Sequence, residues 1–326
     1  MAYTTIDNPE LFFQTLLHVG NNTSFTFAGS ENMQPDLIWN KNRDSSGYDH
    51  HIIDSVRGVS KLLRVSSNIA EFTSSDSITA IGSDGFTVGA DSNGYVSSGT
   101  DKQVSWCWKA GGSSSSNSDG SVTSTVSVST TAGFSIARFT GTGSNLTIGH
   151  GLGVKPDFII LKCDSSGSTD WTCYHSSLGA TKRIKLNATE ASSTNSTTWQ
   201  DTEPTTSVIS VGTSGDVNVS SGTHMVYSFA EKKGYSKFGS YVANGNSDNT
   251  FVYTGFKVAF LMTKLSSTSG GGWEIVDSKR DGYNGENNRL YPNDNAAEGT
   301  GNDYDLLSNG FKVRQSGGSQ QSGRTN

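Results

Sequence analysis

The feature that most constrains the fold is an internal repeat. Residues 34–41, QPDLIWNK, return 121 positions later as KPDFIILK at 155–162. The same spacing separates VSWCWKA at 104–110 from MVYSFAE at 225–231. Two landmarks at one spacing indicate that a unit was duplicated. A unit of about 100 residues is too long for a solenoid repeat and has the size of a small domain.

A third, diverged copy follows the second. Residues 255–264 take the place of the Pro-Asp strand, with Val258 and Ala259 where the other copies have Pro and Asp. Near the end of this copy, NGFKV at 309–313 corresponds to DGFTV at 84–88. The sequence therefore predicts five parts, which are an N-terminal arm at 1–11, a first domain at 12–112, a flexible Gly/Ser linker and lead-in at 113–133, a second domain at 134–234 and a third domain at 235–326.

The third copy lacks a counterpart of one landmark. Nothing after Val313 matches 104–110 or 225–231, and residues 317–326 read GGSQQSGRTN. A sandwich without this strand exposes unpaired backbone groups, which favour association with another chain. We therefore expect a partner strand, a covering loop or a rearranged pairing to protect this edge.

Strand signals dominate every copy. Val104, Trp106 and Trp108 alternate with other residues at period two, and residues 158–161 are continuously apolar, as in a strand covered on both faces. Hydrophobic residues make up only 33% of the chain, below the roughly 45–50% of typical globular proteins, while 10% aromatic residues argue against disorder. The sequence predicts an all-β protein of three tandem β-sandwiches or jelly rolls, each with a small core of its own.

One helix signal precedes the first copy. Asn8 can cap a helix, Pro9 suits its first position and Glu10 favours its dipole. An apolar stripe would then be formed by Leu11, Phe12, Leu16 and Leu17. Two interpretations stay open, because the stripe can dock on a partner or pack on the first sandwich.

Charge and hydropathy exclude several classes of function. The net charge is −6, and no basic run provides a surface for nucleic acid. No apolar stretch is long enough to span a bilayer, and the N-terminus has no signal-peptide pattern. We therefore expect neither nucleic-acid binding nor membrane insertion. The three cysteines, Cys107, Cys163 and Cys173, lack ligand spacing, and we expect them to be buried free thiols.

Few residues suggest chemistry, and no catalytic, cofactor-binding or metal-binding residue is assigned. The acidic segment 298–305 can be a divalent-cation site or a solvated acidic loop. His50 and His51 would lie on opposite faces of a strand, so they cannot chelate one metal, and we expect one inward and one surface histidine. His175 has no accompanying Ser/Asp arrangement that indicates catalysis.

Aromatic residues fall into two groups. Trp171 and Trp273 occur at matched positions of two copies, which favours core packing over sugar stacking. Ligand-binding residues stay unknown, and the candidates for ligand contact are the loop aromatics Tyr48, Tyr95, Trp199, Tyr283, Tyr291 and Tyr304.

Nine motifs spread along nearly the whole chain resemble those of virion structural proteins from marine tailed bacteriophages. The motifs lie at 1–9, 34–36, 54–59, 83–89, 106–111, 149–153, 175–182, 199–204 and 237–241. Members of that family are described as tail-fibre or virion proteins with concanavalin A-like, lectin- or glucanase-like domains. The resemblance implies a jelly-roll sandwich and a virion location, and it brings no established catalytic or binding residues. Members finish with another strand like 227–231, which this sequence lacks.

Three functions follow as hypotheses. The first is a non-enzymatic tail appendage or fibre component that attaches to host-surface glycans, since linked weak modules gain avidity. Its N-terminal domain would dock and the later domains would project beyond the linker. The second is a capsid decoration or cement protein on the phage head. The third, a glycan-cleaving enzyme, rests on fold analogy alone. We expect other virion proteins as partners, host polysaccharide as a possible ligand and homo-oligomers in the particle.

Overall fold

The computed structural model describes residues 4–20, 23–280, 284–285, 287–317 and 323–326. These residues form an all-β protein of antiparallel sheets. Its helical pieces in the described ranges are a 3₁₀ turn at Pro9–Leu11 and one short helix, α1, at Ser196–Trp199. The expectation of an all-β chain is confirmed.

The first segment, residues 12–112, folds into two facing sheets. A six-stranded sheet has the order β1-β9-β3-β4-β5-β6, and a three-stranded sheet has the order β2-β8-β7. The strands are β1 (Phe13–Val19), β2 (Ser24–Phe25), β3 (Leu37–Asn42), β4 (His51–Asp54), β5 (Lys61–Arg64), β6 (Phe72–Thr73), β7 (Ile78–Ile81), β8 (Phe86–Val88) and β9 (Lys102–Trp108).

The second segment, residues 134–234, uses the same plan with two added strands. Its eight-stranded sheet has the order β10-β11-β12-β19-β14-β15-β16-β17, and a pair of strands, β13 and β18, faces it. The strands are β10 (Ser115–Asn117), β11 (Ser124–Ser129), β12 (Phe134–Thr140), β13 (Leu146–Gly149), β14 (Phe158–Cys163), β15 (Thr172–His175), β16 (Lys182–Lys185), β17 (Ser193–Thr194), β18 (Val208–Val211) and β19 (Thr223–Phe229).

The added strands lie where composition predicts a flexible linker. Residues 113–133 contain β10 and β11, and β11 pairs with β12 over five residues from Thr125 to Ser129. Backbone pairing does not depend on side-chain composition, so a Ser-rich run can extend a sheet whose edge is available. The segments are therefore not separated by a flexible spacer in this stretch.

The third segment, residues 235–326, has smaller sheets. Strand β26 lies between β20 and β25, while β21 pairs with β22 and β23 pairs with β24. The strands are β20 (Phe251–Tyr253), β21 (Phe260–Lys264), β22 (Trp273–Asp277), β23 (Asn287–Arg289), β24 (Gly299–Gly301), β25 (Tyr304–Leu307) and β26 (Gly310–Val313).

Strand bounds recur between segments. Six strands of the first segment begin and end 121 residues before their counterparts in the second, namely β1 and β12, β3 and β14, β4 and β15, β5 and β16, β6 and β17, and β9 and β19. Strand β26 begins and ends 102 residues after β18. Strand β21 likewise begins 102 residues after β14. The sequence landmarks therefore coincide with equivalent strands.

Each segment has a small core between its facing sheets, but the largest core is shared. Ile38 and Phe86 belong to the first inner core, Ile159 and Ile209 to the second, and Val276 and Phe311 to the third. The opposite faces of the large sheets meet in one central cluster, which includes Leu37, Trp106, Phe158, Tyr227, Trp273 and Ile275. The small core expected in each segment is therefore present, but a shared core was not expected, and it forms because the larger sheets bury both faces.

The N-terminal helix signal is realised only at its cap. The Asn8 side chain accepts a hydrogen bond from the Glu10 backbone N–H, and Pro9 begins a single 3₁₀ turn. Strand β1 then starts at Phe13, so Leu16 and Leu17 lie on a strand and not on a helical stripe. Phe13 packs on the central cluster and Leu16 on the first inner core, which agrees with packing on the first sandwich. Pairing of β1 with β9 along seven residues outweighs the weak local helix preference.

Candidate functional site

A largely apolar cavity of about 700 Å³ lies between the third segment and the central cluster. We call it the slot, and we define it by strand β21, residues 234–241 and the ends of β9 and β19. Many of its lining residues are aromatic, with the ring centroid of Trp108 lying 4.9 Å from that of Phe13 and 5.5 Å from that of Phe260. Phe229 also lines the slot, with its ring centroid 6.2 Å from that of Trp108 and 6.2 Å from that of Phe238. This lining suits an apolar, extended ligand.

One histidine contributes a polar group to the slot. His175 ends β15, and its Nδ1 accepts a hydrogen bond from the Ser177 backbone N–H at 3.0 Å. Burial lowers the pKa of His175, and this effect outweighs the nearby Asp157 carboxylate. Since Nδ1 accepts, the neutral ring carries its proton on Nε2. Among the described lining residues, His175 is thus the one histidine, in a wall that is mostly apolar but also includes polar residues such as Ser236 and Lys237.

Two buried ion pairs occupy equivalent places near the central cluster. Arg57 Nε donates to Asp54 Oδ2 at 2.6 Å, and Arg280 Nε donates to Asp277 Oδ2 at 2.6 Å, with all four side chains fully buried. Both aspartates also accept backbone N–H bonds through Oδ1 in the following turn. Burial disfavours the charge of Arg57, but the combined effect of Asp54, Tyr227 and Glu71 outweighs burial and raises the Arg57 pKa.

Each of these aspartates also receives a hydrogen bond from a different segment. Tyr227 on β19 donates its hydroxyl to Asp54 Oδ2 at 2.8 Å, and Trp106 on β9 donates its indole N–H to Asp277 Oδ2 at 2.9 Å. Burial raises the pKa of Tyr227 well above its ordinary value, so it stays a neutral donor. The buried charges therefore tie the second segment to the first and the first to the third.

Three buried lysines lie at equivalent positions at the ends of β3, β14 and β21. Desolvation lowers the pKa of Lys41, Lys162 and Lys264 to about 8 each. Lys162 donates to Asn68 O in the first segment at 3.2 Å, and Lys264 donates to Glu190 O in the second at 2.9 Å. The ammonium groups of Lys162 and Lys264 therefore satisfy backbone carbonyls across the boundaries between segments, whereas Lys41 donates to Asn42 O in its own segment at 2.6 Å.

The boundaries form a closed cycle of three. Trp171 Nε1 donates to Arg64 O at 2.9 Å, and Trp273 Nε1 donates to Lys185 O at 2.8 Å, which joins the second segment to the first and the third to the second. The first and third segments are joined by Arg43, which binds both carboxylate oxygens of Glu298 at 2.7 and 2.9 Å. Trp171 and Trp273 are thus buried scaffold residues, as their matched positions predict.

The three carboxylates of the acidic segment 298–305 are each paired with an arginine and are buried or half-buried. Glu298 accepts from Arg43 and from Arg280, Asp303 pairs with Arg289 at 3.1 Å, and Asp305 pairs with Arg314 at 3.2 Å. The arginines come from other parts of the chain, so the segment alone gave no sign of them. Across the described residues no group of three or more His, Cys, Asp or Glu side chains is placed to hold a metal ion.

The histidine pair is buried at both positions. His50 accepts from Trp39 Nε1 at 3.0 Å and stacks on Trp106, whereas His51 contacts Phe72 and Tyr95. Their different surroundings agree with alternation along a strand, but the expected surface histidine is wrong. Both rings are covered because the first large sheet is buried on both faces.

The loop aromatics predicted to contact a ligand differ in burial. Trp199 and Tyr304 are fully buried and belong to the inner cores, so they are not surface ligand contacts. Tyr48, Tyr95 and Tyr291 are half-buried, and Tyr283 lies outside the described residues.

The cysteines follow their prediction. Cys107, Cys163 and Cys173 are all free and buried, and burial raises the pKa of the Cys107 and Cys173 thiols.

The sequence analysis does not predict the hydrogen bonds and ion pairs between segments, although the sequence contains one sign of them. The motif Asp-Ser-x-Arg occurs at 54–57 and 277–280, at the same place in two copies, and it marks the two buried ion pairs.

Comparison with known proteins places the chain in one family. No helix in the described part of the chain is long and apolar enough to cross a membrane. No curated protein and no solved structure matches the sequence. A family model described as a domain of unknown function, DUF7483, matches residues 8–326. The chain therefore belongs to the DUF7483 family.

Proposed function

We propose that this protein is a non-enzymatic structural component of a tailed-bacteriophage virion. In this proposal it consists of three repeats of a concanavalin A-like jelly-roll sandwich behind a short N-terminal arm. The motifs that resemble marine phage virion proteins support the virion location. The recurrence of strand bounds at 121 and 102 residues supports the repeats.

The observation that carries the proposal is the use of the buried charged groups. Asp54, Arg57, Asp277 and Arg280 are paired within turns and bridged to aromatic donors of other segments. The buried Lys162 and Lys264 likewise bind carbonyls across segment boundaries. The buried charged groups thus hold the three segments together, and such mechanical stability is what a structural component of a virion requires.

Within the virion we propose a tail appendage or fibre component that attaches to host-surface glycans. Exposed hydroxyl side chains on the outer strands, such as Ser115, Ser116, Ser193 and Thr194, offer hydrogen bonds to sugars. Three modules in one chain, and homo-oligomers of that chain with other virion proteins, raise avidity without strong single sites.

One observation favours a second candidate, a capsid decoration protein. Residues 113–133 carry strands β10 and β11 within the second sheet, so they give no flexible spacer for projecting the later segments. A packed body of three segments suits a lattice position on the head as well as a place on a tail.

Imaging of virions with a label on this protein tests both candidates. Label on tail structures supports the appendage, label confined to the capsid lattice supports the decoration protein, and absence from purified particles contradicts the virion role. A glycan array with the clustered protein then tests recognition, with a Ser115→Ala/Ser116→Ala/Ser193→Ala variant as the matched control. Release of reducing sugar from host polysaccharide would contradict the non-enzymatic role.

A further inference from the structure

A second cavity, of about 300 Å³, lies at one end of the first large sheet. We call it the polar pocket, and it is formed by Gly20 after β1, Tyr48 between β3 and β4, and lining residues of the loop 90–99 before β9. Small-molecule sites span roughly 300–1,000 Å³. The polar pocket therefore has room for a small ligand, and most of its lining residues are polar or glycine.

A buried carboxylate holds the wall of the polar pocket in place. Asp91 Oδ2 accepts from the backbone N–H groups of Val96 at 2.8 Å and Ser97 at 2.6 Å, and Oδ1 accepts from the Ser77 hydroxyl at 2.5 Å. Asp91 is 3% exposed. All three donors are neutral, so these bonds fix the loop without neutralising the negative charge.

Charge in the polar pocket disfavours acidic ligands. Among the lining residues that the structure describes, none is a lysine, arginine or histidine, and Asp91 is the one carboxylate. A phosphate, sulfate or carboxylate ligand would meet a negative charge there and no cation. The ligand that suits this lining is polar and neutral.

One hydroxyl in the wall has no partner. Ser97 lines the pocket and is 4% exposed, and its Oγ makes no hydrogen bond to any residue in the described ranges. Buried hydroxyls are almost always hydrogen-bonded, because an unpaired one loses its bonds to water without replacement. A ligand hydroxyl in the pocket would supply the missing partner.

Tyr48 supplies an aromatic surface beside the loop. Its hydroxyl accepts from Ser98 Oγ at 3.0 Å, and its ring lies so close to Gly94 that an added Cβ would come within 3.2 Å of Tyr48 Cε1. Gly94 has a φ of 68°, which also favours glycine. A sugar ring presents an apolar face that can pack on such an aromatic ring, while its hydroxyls bind polar groups such as the exposed Asn93 amide.

The matched loop of the second segment is tied down by its own side chain. The loop 212–222 before β19 corresponds to the loop 89–101 before β9. The buried Asn218 side chain accepts from Thr142 N at 2.8 Å and donates to Ser144 O at 2.7 Å, which fastens this loop to the residues after β12. The second segment thus uses a side chain of the loop where the first segment has room for a ligand.

We propose that the polar pocket binds a neutral sugar residue. Ser97 and Asn93 hydrogen-bond its hydroxyls, the Tyr48 ring packs on its apolar face, and the charge of Asp91 disfavours acidic sugars. This inference rests on the proposed attachment to glycans. It narrows the ligand to neutral sugars and places the site in the first segment.

A glycan array that carries neutral, sulfated and uronic-acid glycans tests the ligand class. The clustered whole chain is the probe, and calorimetry with the strongest neutral glycan then measures the affinity. We expect binding to neutral glycans and none to their sulfated or uronic-acid counterparts. Binding to acidic glycans alone, or to no neutral glycan, would overturn the proposal.

Ser97→Ala separates a ligand contact from a structural role. The variant removes a hydroxyl that has no partner in the protein, so the melting temperature without sugar should be unchanged or higher, while the affinity falls roughly fivefold. The exposed Asn93→Ala should also weaken binding without lowering the melting temperature. The matched control is Ser228→Ala, because Ser228 is fully buried with an unpartnered Oγ but does not line the pocket. This control should keep full affinity.

Equal affinity of the wild type, Ser97→Ala and Asn93→Ala would overturn the site. Loss of binding in the Ser115→Ala/Ser116→Ala/Ser193→Ala variant alone would move recognition to the outer strands and overturn it as well. Labelling of particles decides the virion role separately. Pocket-dependent binding by a protein that is absent from particles supports the sugar site and contradicts the virion role, whereas a particle-bound protein that binds no neutral glycan contradicts only the sugar site.

Discussion

The indole N–H of Trp106 donates to Asp277 Oδ2 at 2.9 Å, although 171 residues of chain separate them. The same oxygen accepts from Arg280 at 2.6 Å. Tyr227 and Asp54, 173 residues apart, repeat this relationship at 2.8 Å. Two segments are therefore fastened to their neighbours by an aromatic donor that completes the hydrogen bonding of a buried carboxylate.

Removal of the Tyr227 hydroxyl should destabilise the protein without a large change in volume. In Tyr227→Phe, Asp54 loses one buried donor, and hydrogen bonds to charged groups contribute about 1.5–3 kcal/mol. We expect a loss of that size in the free energy of unfolding, measured by urea denaturation. The matched control is Tyr253→Phe, whose side chain is 60% exposed. Equal stability of the two variants would contradict the role assigned to the Tyr227–Asp54 bond.

Loss of the Arg57 charge should cost more than loss of a surface charge. Arg57→Met leaves the Asp54 carboxylate buried without its cation, and breaking a buried pair in this way costs about 3–5 kcal/mol. Arg314→Met removes a partly exposed pair with Asp305, for which we expect at most about 1 kcal/mol. Both values come from the same denaturation experiment. A difference near zero between the variants would show that the Asp54–Arg57 pair does not hold the boundary.

Local patterning in the sequence predicted much of the secondary structure. The alternation around Trp106 predicted β9, the apolar run at 158–161 predicted a doubly covered strand, and Asn8 capped its turn. These features depend on side-chain period and on neighbouring residues. The strand β10 was not predicted because its serines carry no period, and its pairing with β11 is set by an available sheet edge.

Contacts between distant segments could not be read from one sequence. Alternation shows that a face of β9 is apolar, but it does not show that the face meets Asp277 of another segment. For the same reason, the acidic run 298–305 by itself predicts a solvated or cation-binding loop, whereas in the structure Arg43 binds Glu298 from 255 residues away. The repeated Asp-Ser-x-Arg motif was the one local sign of this network.

Acid should unfold the protein over a defined pH window. Burial lowers the pKa of His18 and His224 to about 4 and that of His51 to about 3. It also lowers the pKa of His50, His150 and His175. Unfolded histidines titrate near 6.5, so between pH 6.5 and 4 the unfolded chain binds more protons, and the free energy of unfolding falls as the pH falls.

The size of this effect follows from the number of protons. His18, His51 and His224 have native pKa values of about 4 or below. At about 1.4 kcal/mol per pH unit each, these three lower the free energy of unfolding by roughly 4 kcal/mol per pH unit near pH 5. Urea denaturation from pH 7 to 4.5 measures the slope. His51→Phe retains the aromatic contacts with Phe72 and Tyr95. It removes one titrating group and should therefore reduce the slope by about 1.4 kcal/mol per pH unit. A flat stability profile between pH 6.5 and 5 would contradict neutral buried histidines.

The cysteines should be unreactive until the chain unfolds. Cys107, Cys163 and Cys173 are fully buried, and only an accessible thiolate reacts with a disulfide reagent. We expect labelling with such a reagent to detect no thiol in the native protein and three after denaturation. Reaction of one equivalent within minutes under native conditions would show that one of these strands opens.

The third segment should not fold by itself. Its own core contains five buried residues, Val258, Val276, Tyr304, Phe311 and Val313, whereas Trp273 and Ile275 on the other face of β22 pack into the central cluster. In an isolated fragment 235–326 that face meets water, and the Trp273 indole loses its acceptor, Lys185 O. We expect this fragment to bind a hydrophobic dye and to unfold without a cooperative transition, while the whole chain unfolds cooperatively. Calorimetry distinguishes the two cases, and a sharp transition in the fragment would show that the central cluster is dispensable for this segment.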